Sequence, residues 1–180
     1  MVLLLTGCDD LDKTGDKGYV TGDGFVTTVA PSERGEPVSY DGDDLEGNPL
    51  SLAEMRGKPV VVVVWGSWCT PCRAEAPAVV KAADELGDAA HFVGVNIRDA
   101  SPVKGQAFVR SQGIDYPSYF SPGGDALLAF QGKLGPRTIP AFVVLDDDGR
   151  IAASIIGSLP STQTLVALTQ DVVDEKTADG

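Results

Sequence analysis

Val60-Val61-Val62-Val63-Val64-Trp65 runs directly into Gly66-Ser67-Trp68-Cys69-Thr70-Pro71-Cys72. A β-branched run without polar alternation is what a strand buried on both faces requires. It places the centre of a sheet at residues 60–65 and demands a covering layer on each side. Cys69 and Cys72 then fall where the chain leaves that strand and opens a helix. Pro71 suits the first turn of such a helix, where no backbone N–H is needed. At a helix start, residues i and i+3 lie on one side, so the two sulfurs can bond across one turn.

The remaining pattern supplies the layers. The helix continues to about Leu86, and a second strand spans His91–Ile97. A helix over Val103–Ser111 stops at Gly113. Pro117–Phe120 reads as a short strand and Asp125–Gln131 as a short helical piece. Ala141–Leu145 and Arg150–Ile156 read as strands joined through the turn Asp147-Asp148-Gly149. Ser161 or Thr162 caps a last helix with Leu165, Leu168, Val172 and Val173 on its inner side. Upstream, Val38–Tyr40 and Pro49–Leu52 flank a turn-rich stretch as a hairpin. The expected class is α/β: a mixed central sheet with helices on both faces and an N-terminal β-hairpin addition.

The 180 residues suffice for one such domain, and 43% hydrophobic residues can fill its core. A net charge of −12 repels phosphate backbones, so nucleic acid is excluded as a partner. No apolar run approaches the roughly 18 residues of a membrane span. Residues 31–180 form the expected domain. Residues 9–30 are rich in Gly and Asp and read as a flexible tether, within which Phe25–Val29 is a short strand or a clip onto the domain. Residues 1–8 end in Leu5-Thr6-Gly7-Cys8, which resembles the lipobox of bacterial lipoproteins, cut before Cys8 and lipidated on it. The apolar stretch before it, Val2–Leu5, is only a remnant of a signal, and a frayed apolar end with a chance cysteine is the alternative.

The Cys69/Cys72 pair carries the chemistry. The first thiol faces unpaired backbone N–H groups and the positive end of the helix dipole. Both favour thiolate, so Cys69 is the expected nucleophile and Cys72, deeper in the helix, the resolving thiol. Thr70 and Pro71 tune the balance between dithiol and disulfide. Half a metal site is the competing reading, and it lacks partners: the chain has three cysteines and one histidine, His91. A purely structural bridge across two residues would constrain the chain little. Glu75, three residues after Cys72, borders the buried arc of Cys72, Ala76, Val79, Val80, Ala83 and Leu86. A carboxylate there has a raised pKa and can exchange a proton with the resolving thiol. An ordinary glutamate near a helix start is the alternative. Trp65 is expected in the core, and Trp68 on the exposed rim. Asp41–Glu46 and Asp146–Asp148 read as solvated turns rather than cation sites.

These motifs resemble a known family. Trp68-Cys69-Thr70-Pro71-Cys72-Arg73-Ala74-Glu75-Ala76-Pro77, with Thr138-Ile139-Pro140 before a strand, is similar to thioredoxin-fold proteins, and most of all to the TlpA/ResA group. The resemblance covers residues 38–175. It implies a cis proline at Pro140 packed against the disulfide, client contacts at Trp68, Thr70, Pro71 and Ile139, and a functional glutamate at Glu75. Val63 stands where cytoplasmic thioredoxins carry a buried aspartate. The implied activity is reduction of protein disulfides outside the cytoplasmic membrane, without cofactor or metal, by a monomer anchored through Cys8. The implied client is the Cys-x-x-Cys-His segment of apocytochromes c, with electrons from a membrane protein. A dithiol oxidase or isomerase, a thiol peroxidase and a non-enzymatic lipoprotein are the alternatives.

Overall fold

The computed structural model describes residues 19–21, 24–130, 132–135 and 137–178. Cys8, the signal remnant and the first part of the expected tether lie outside the described residues. In chain order the strands are β1 (Tyr19–Thr21), β2 (Gly24–Thr28), β3 (Asp41–Asp43), β4 (Pro49–Ser51), β5 (Val60–Trp65), β6 (His91–Asn96), β7 (Ser118–Phe120), β8 (Ala141–Leu145) and β9 (Ile151–Gly157). The helices are α1 (Thr70–Leu86), α2 (Pro102–Gln112) and α3 (Thr162–Ala178).

Seven strands form one mixed sheet in the order β1-β2-β9-β8-β5-β6-β7. β5 lies inside it, parallel to β6 and antiparallel to β8. All six of its residues are buried, as its unbroken apolar run requires. Alternate side chains divide the core. Val61, Val63, Trp65, Phe92 and Phe142 face the layer that holds α1, α2 and α3. Val60, Val62, Val64, Val93 and Val95 face a thinner cover made by the 3-10 segment Asp125–Phe130 and by Val38, Leu52 and Leu134. The three α-helices thus share one side. Right-handed crossovers from β5 to β6 and from β6 to β7, both stepping the same way, place their helices on the same face.

The upstream hairpin exists as β3 paired with β4, its first strand displaced to Asp41–Asp43, within the stretch expected as a solvated turn, and its second one residue shorter than the sequence suggests. Val38–Tyr40 lies before it and is not a strand, and Val38 instead is buried beneath the sheet. The ordered sheet also begins earlier than residue 31. β2 sits within the stretch expected as tether and pairs with β9 over Gly24–Thr28.

Asp146 corrects a second expectation. It is not a solvated turn residue: it is 2% exposed and accepts hydrogen bonds from the Arg34 and Arg150 side chains and the Asp148 and Arg150 amides. Arg34, whose side chain is buried, also pairs with Glu175 on α3 at 2.7 Å. One guanidinium therefore joins the N-terminal segment, the β8–β9 turn and the last helix. Asp146, Asp147 and Asp148 are the one acidic triplet among the described residues whose ligand atoms lie within 4.8 Å of one another. Two arginines already occupy Asp146, as in a turn closed by ion pairs.

Candidate active site

β5 ends at Trp65, and the chain turns through Gly66–Trp68 into α1. Cys69 is the N-cap residue of α1, and its Sγ accepts a hydrogen bond from the Cys72 amide at 3.2 Å. Cys69 and Cys72 form a disulfide, with their Cα atoms 5.3 Å apart. The cap position explains the spacing: one helical turn returns residue i+3 to the side of residue i. Cys69 was expected at an exposed helix start, yet in the disulfide it is 3% exposed and Cys72 is 6% exposed. What distinguishes the two is position. Cys69 stands at the unpaired N–H groups of the cap, and Cys72 is inside the first turn.

Around the pair the structure brings together residues from distant parts of the chain. The Ile139–Pro140 peptide is cis. Pro140 is buried, and with Cys72, Glu75, Val63, Trp65 and Phe108 it lines a cavity of about 20 Å³. That volume has room for a single water. The Pro140 carbonyl accepts from the Gly157 amide at 3.0 Å. Neither the amide nor the carbonyl of Ile139 has a hydrogen-bond partner among the described residues. Thr70 and Pro71 are exposed on the first turn.

Glu75 is half-buried on the cavity wall. Burial pushes its carboxyl upward, opposed in part by the Leu159 backbone and the Ser158 side chain. Its Oε2 is buried without a hydrogen-bond partner. Val63, on β5, supplies no acid of its own. On the same helix, Ala82 is fully buried, whereas Val80 and Ala83 are only partly so, which turns the buried arc slightly from the one read in the sequence. Trp65 is in the core, stacked on Phe108 with centroids 4.7 Å apart.

The segment before Cys69 rests on residues that the sequence pattern did not single out. Asp99, 2% exposed, accepts from the Ser67 amide at 3.0 Å, from the Ser67 hydroxyl, and from Asn96 Nδ2 at 2.6 Å. Trp68 is 42% exposed, and its Nε1 donates to the Ile97 carbonyl at 3.2 Å. The Arg98 guanidinium lies 4.3 Å from the Trp68 ring centroid. The only sequence signal for this support was the end of strand β6, which the register sets beside Trp65. His91, at the other end of β6, is exposed and far along the strand from the pair.

A cap-position disulfide beside a cis proline is chemistry for thiol exchange, and comparison with known proteins agrees. The model of the family described as Redoxin matches residues 30–171. The chain belongs to the Redoxin family. Within it, this redoxin is TlpA/ResA-like and is a protein thiol–disulfide oxidoreductase. It is 28% identical over 155 residues to the thiol-disulfide oxidoreductase ResA of Bacillus thuringiensis (strain Al Hakam), covering 83% of this chain and 85% of that one. Among solved structures, a DsbF homologue from Corynebacterium diphtheriae is 32% identical with a TM-score of 0.76, covering 81% of this chain and 92% of that one. A secreted thiol-disulfide isomerase from Corynebacterium glutamicum is 27% identical with a TM-score of 0.78, covering 89% and 99%. This redoxin thus has the mixed sheet and thioredoxin-like fold expected from its sequence.

Proposed function

We propose that this redoxin reduces disulfides of protein clients outside the cytoplasmic membrane, with Cys69 attacking and Cys72 resolving. The observation that carries the reading is the juxtaposition of the Cys69–Cys72 disulfide with cis-Pro140 and with the Ile139 backbone, which has no hydrogen-bond partner among the described residues. In the reduced protein the Cys69 thiolate attacks one sulfur of a client disulfide. A Cys69–client mixed disulfide forms and the second client sulfur leaves as thiolate. Cys72, deprotonated to Glu75, then attacks Cys69 Sγ. The first client sulfur leaves, and the Cys69–Cys72 disulfide holds the two electrons' worth of oxidation. The two client thiolates take up protons. The free Ile139 amide and carbonyl pair with the extended client backbone as an added strand edge. Trp68, Thr70 and Pro71 form the remaining contact surface.

The cycle needs an external dithiol donor, which we assign to a membrane protein. Oxidised Cys-x-x-Cys-His segments of apocytochromes c are the favoured client, by likeness to the ResA group. Of residues 9–30, the part ahead of β1 serves as tether behind a lipidated Cys8, and the protein acts as a monomer. Secreted relatives support the location, and among the described residues no helix is long and apolar enough to cross a membrane. The isomerase named among the structural relatives favours a second reading, in which the same pair reshuffles disulfides of secreted proteins.

Two measurements test the proposal. Cys72→Ser should accumulate mixed disulfides with clients through Cys69; trapping by Cys69→Ser instead would reverse the roles. The potential of the Cys69–Cys72 couple separates the directions: a value near about −270 mV marks a reductant, and one near about −120 mV an oxidant.

A further inference from the structure

Arg98 occupies a backbone conformation that suits an arginine poorly. Its φ is 59°, and it is the one non-glycine residue in the left-handed region among the described residues. A Cβ crowds the following carbonyl there, so glycine or asparagine is the less strained choice where only a turn is needed. The arginine is placed with effect. Its guanidinium lies over the Trp68 ring, one residue before Cys69. Trp68 is itself fixed: its Nε1 is bonded to Ile97, and Gly66 lies against the indole, where a Cβ would come within 2.6 Å of Nε1. The result is a rigid, partly exposed aromatic plate with a cation laid on it.

Among the described residues nothing neutralises that cation. Arg98 is exposed and has no carboxylate partner among the described residues. Its neighbour Asp99 is turned inward and is held by Ser67 and Asn96. Arg73, in the first turn of α1, is also exposed, without a carboxylate partner among the described residues, and its Nη1 donates to the Ser67 carbonyl at 3.3 Å. Two cations, neither paired with a carboxylate among the described residues, therefore reach the same short loop in a chain with 26 acidic and 14 basic residues. Their charge is opposite in sign to the net charge of the whole molecule.

We propose that Arg98 on Trp68, with Arg73, is a recognition site for a carboxylate of the client polypeptide close to its reacting cysteine. The site prefers clients whose disulfide is flanked by Asp or Glu. A guanidinium stacked on an indole keeps its N–H edge free for a bidentate carboxylate, and the ring removes part of its water. The left-handed backbone holds that edge toward the client instead of letting the side chain sweep through solvent. This rests on the exchange reading above.

The test uses the full chain in its reduced form and two disulfide-bonded peptides of identical sequence, except for Asp or Lys on each side of the cysteines. Uncharged hydroxyethyl disulfide serves as a third oxidant. The readout is the ratio of the two peptide rates, so a general slowing cancels. At low salt the Asp peptide should react about threefold faster or more, and high salt should bring the ratio toward one. Arg98→Glu should reverse the order, and Arg98→Lys should keep its direction with a smaller ratio. A ratio near one at low salt, or a ratio unaltered in Arg98→Glu, overturns the proposal and leaves exchange intact. No reaction with the peptides or with hydroxyethyl disulfide overturns the exchange reading and the proposal with it.

Discussion

Two carboxylates lie close to the redox pair, and the structure treats them differently. Asp99 is buried with its oxygens satisfied by Ser67 and Asn96. Glu75 has a buried oxygen without a hydrogen-bond partner among the described residues. Because burial raises the Glu75 pKa, the folded state holds its proton more tightly than the unfolded chain does. The associated stability is present below the unfolded-state pKa and is lost as pH rises through the higher folded value. Glu75→Gln should remove that loss. Denaturant midpoints measured across acidic to neutral pH should show the variant gaining on the parent as pH rises, with slower client reduction and altered cysteine titration. Asp99→Ala leaves the Ser67 and Asn96 donors without their acceptor and should destabilise by about 2–3 kcal/mol. Asp99→Asn retains an oxygen for the two N–H donors and should cost less than half of that. Alkylation rates of reduced Cys69 should follow the same order if the loop slackens. Glu75 was legible in the sequence because i+3 spacing on a helix is local. Asp99 was not, because it meets Ser67 only through the parallel register that sets Asn96 beside Trp65.

At the scale of elements, the strongest signals were those whose own residues decide their burial. β5 is apolar throughout, and α1 starts at a proline and cysteine pair, so both could be read directly. β2 could not. Phe25–Val29 reads equally as strand or loose clip until β9 offers an edge, and the pairing of Gly24 with Gly157 depends on residues more than a hundred positions away. The turn at Asp146 was misread for a related reason: an acidic run looks solvated unless its arginine is known, and Arg34 lies 112 residues away. Removing that arginine leaves Asp146 buried and Glu175 unpaired from it. Arg150 and two turn amides still hold Asp146, so Arg34→Ala should cost about 1.5–3 kcal/mol, read from urea unfolding. Adding Asp146→Asn to it should recover part of the loss, and strict additivity of the two changes would show that the pair is not coupled.

Taken as a whole, the molecule carries a net charge of −12 and is repelled by itself. Raising ionic strength should stabilise it, since the Debye length shrinks from about 30 Å at 0.01 M to about 8 Å at 0.15 M. A gain of about 1 kcal/mol would appear as a rise of roughly 2–4 °C in Tm by calorimetry. The same salt series weakens any preference resting on Arg98, so stability and client selection should move in opposite directions. The sheet also has a polarity. Trp65, Ala141, Gly157 and Gly24 all lie at the end that bears the disulfide, linked through successive pairings of β5, β8, β9 and β2. β1 runs antiparallel to β2, from Tyr19 opposite Val26 to Thr21 opposite Gly24, so its last residue is the one at the disulfide end. The disulfide thus sits at an end shared by strands from both halves of the chain, like a knot tied where four ropes finish.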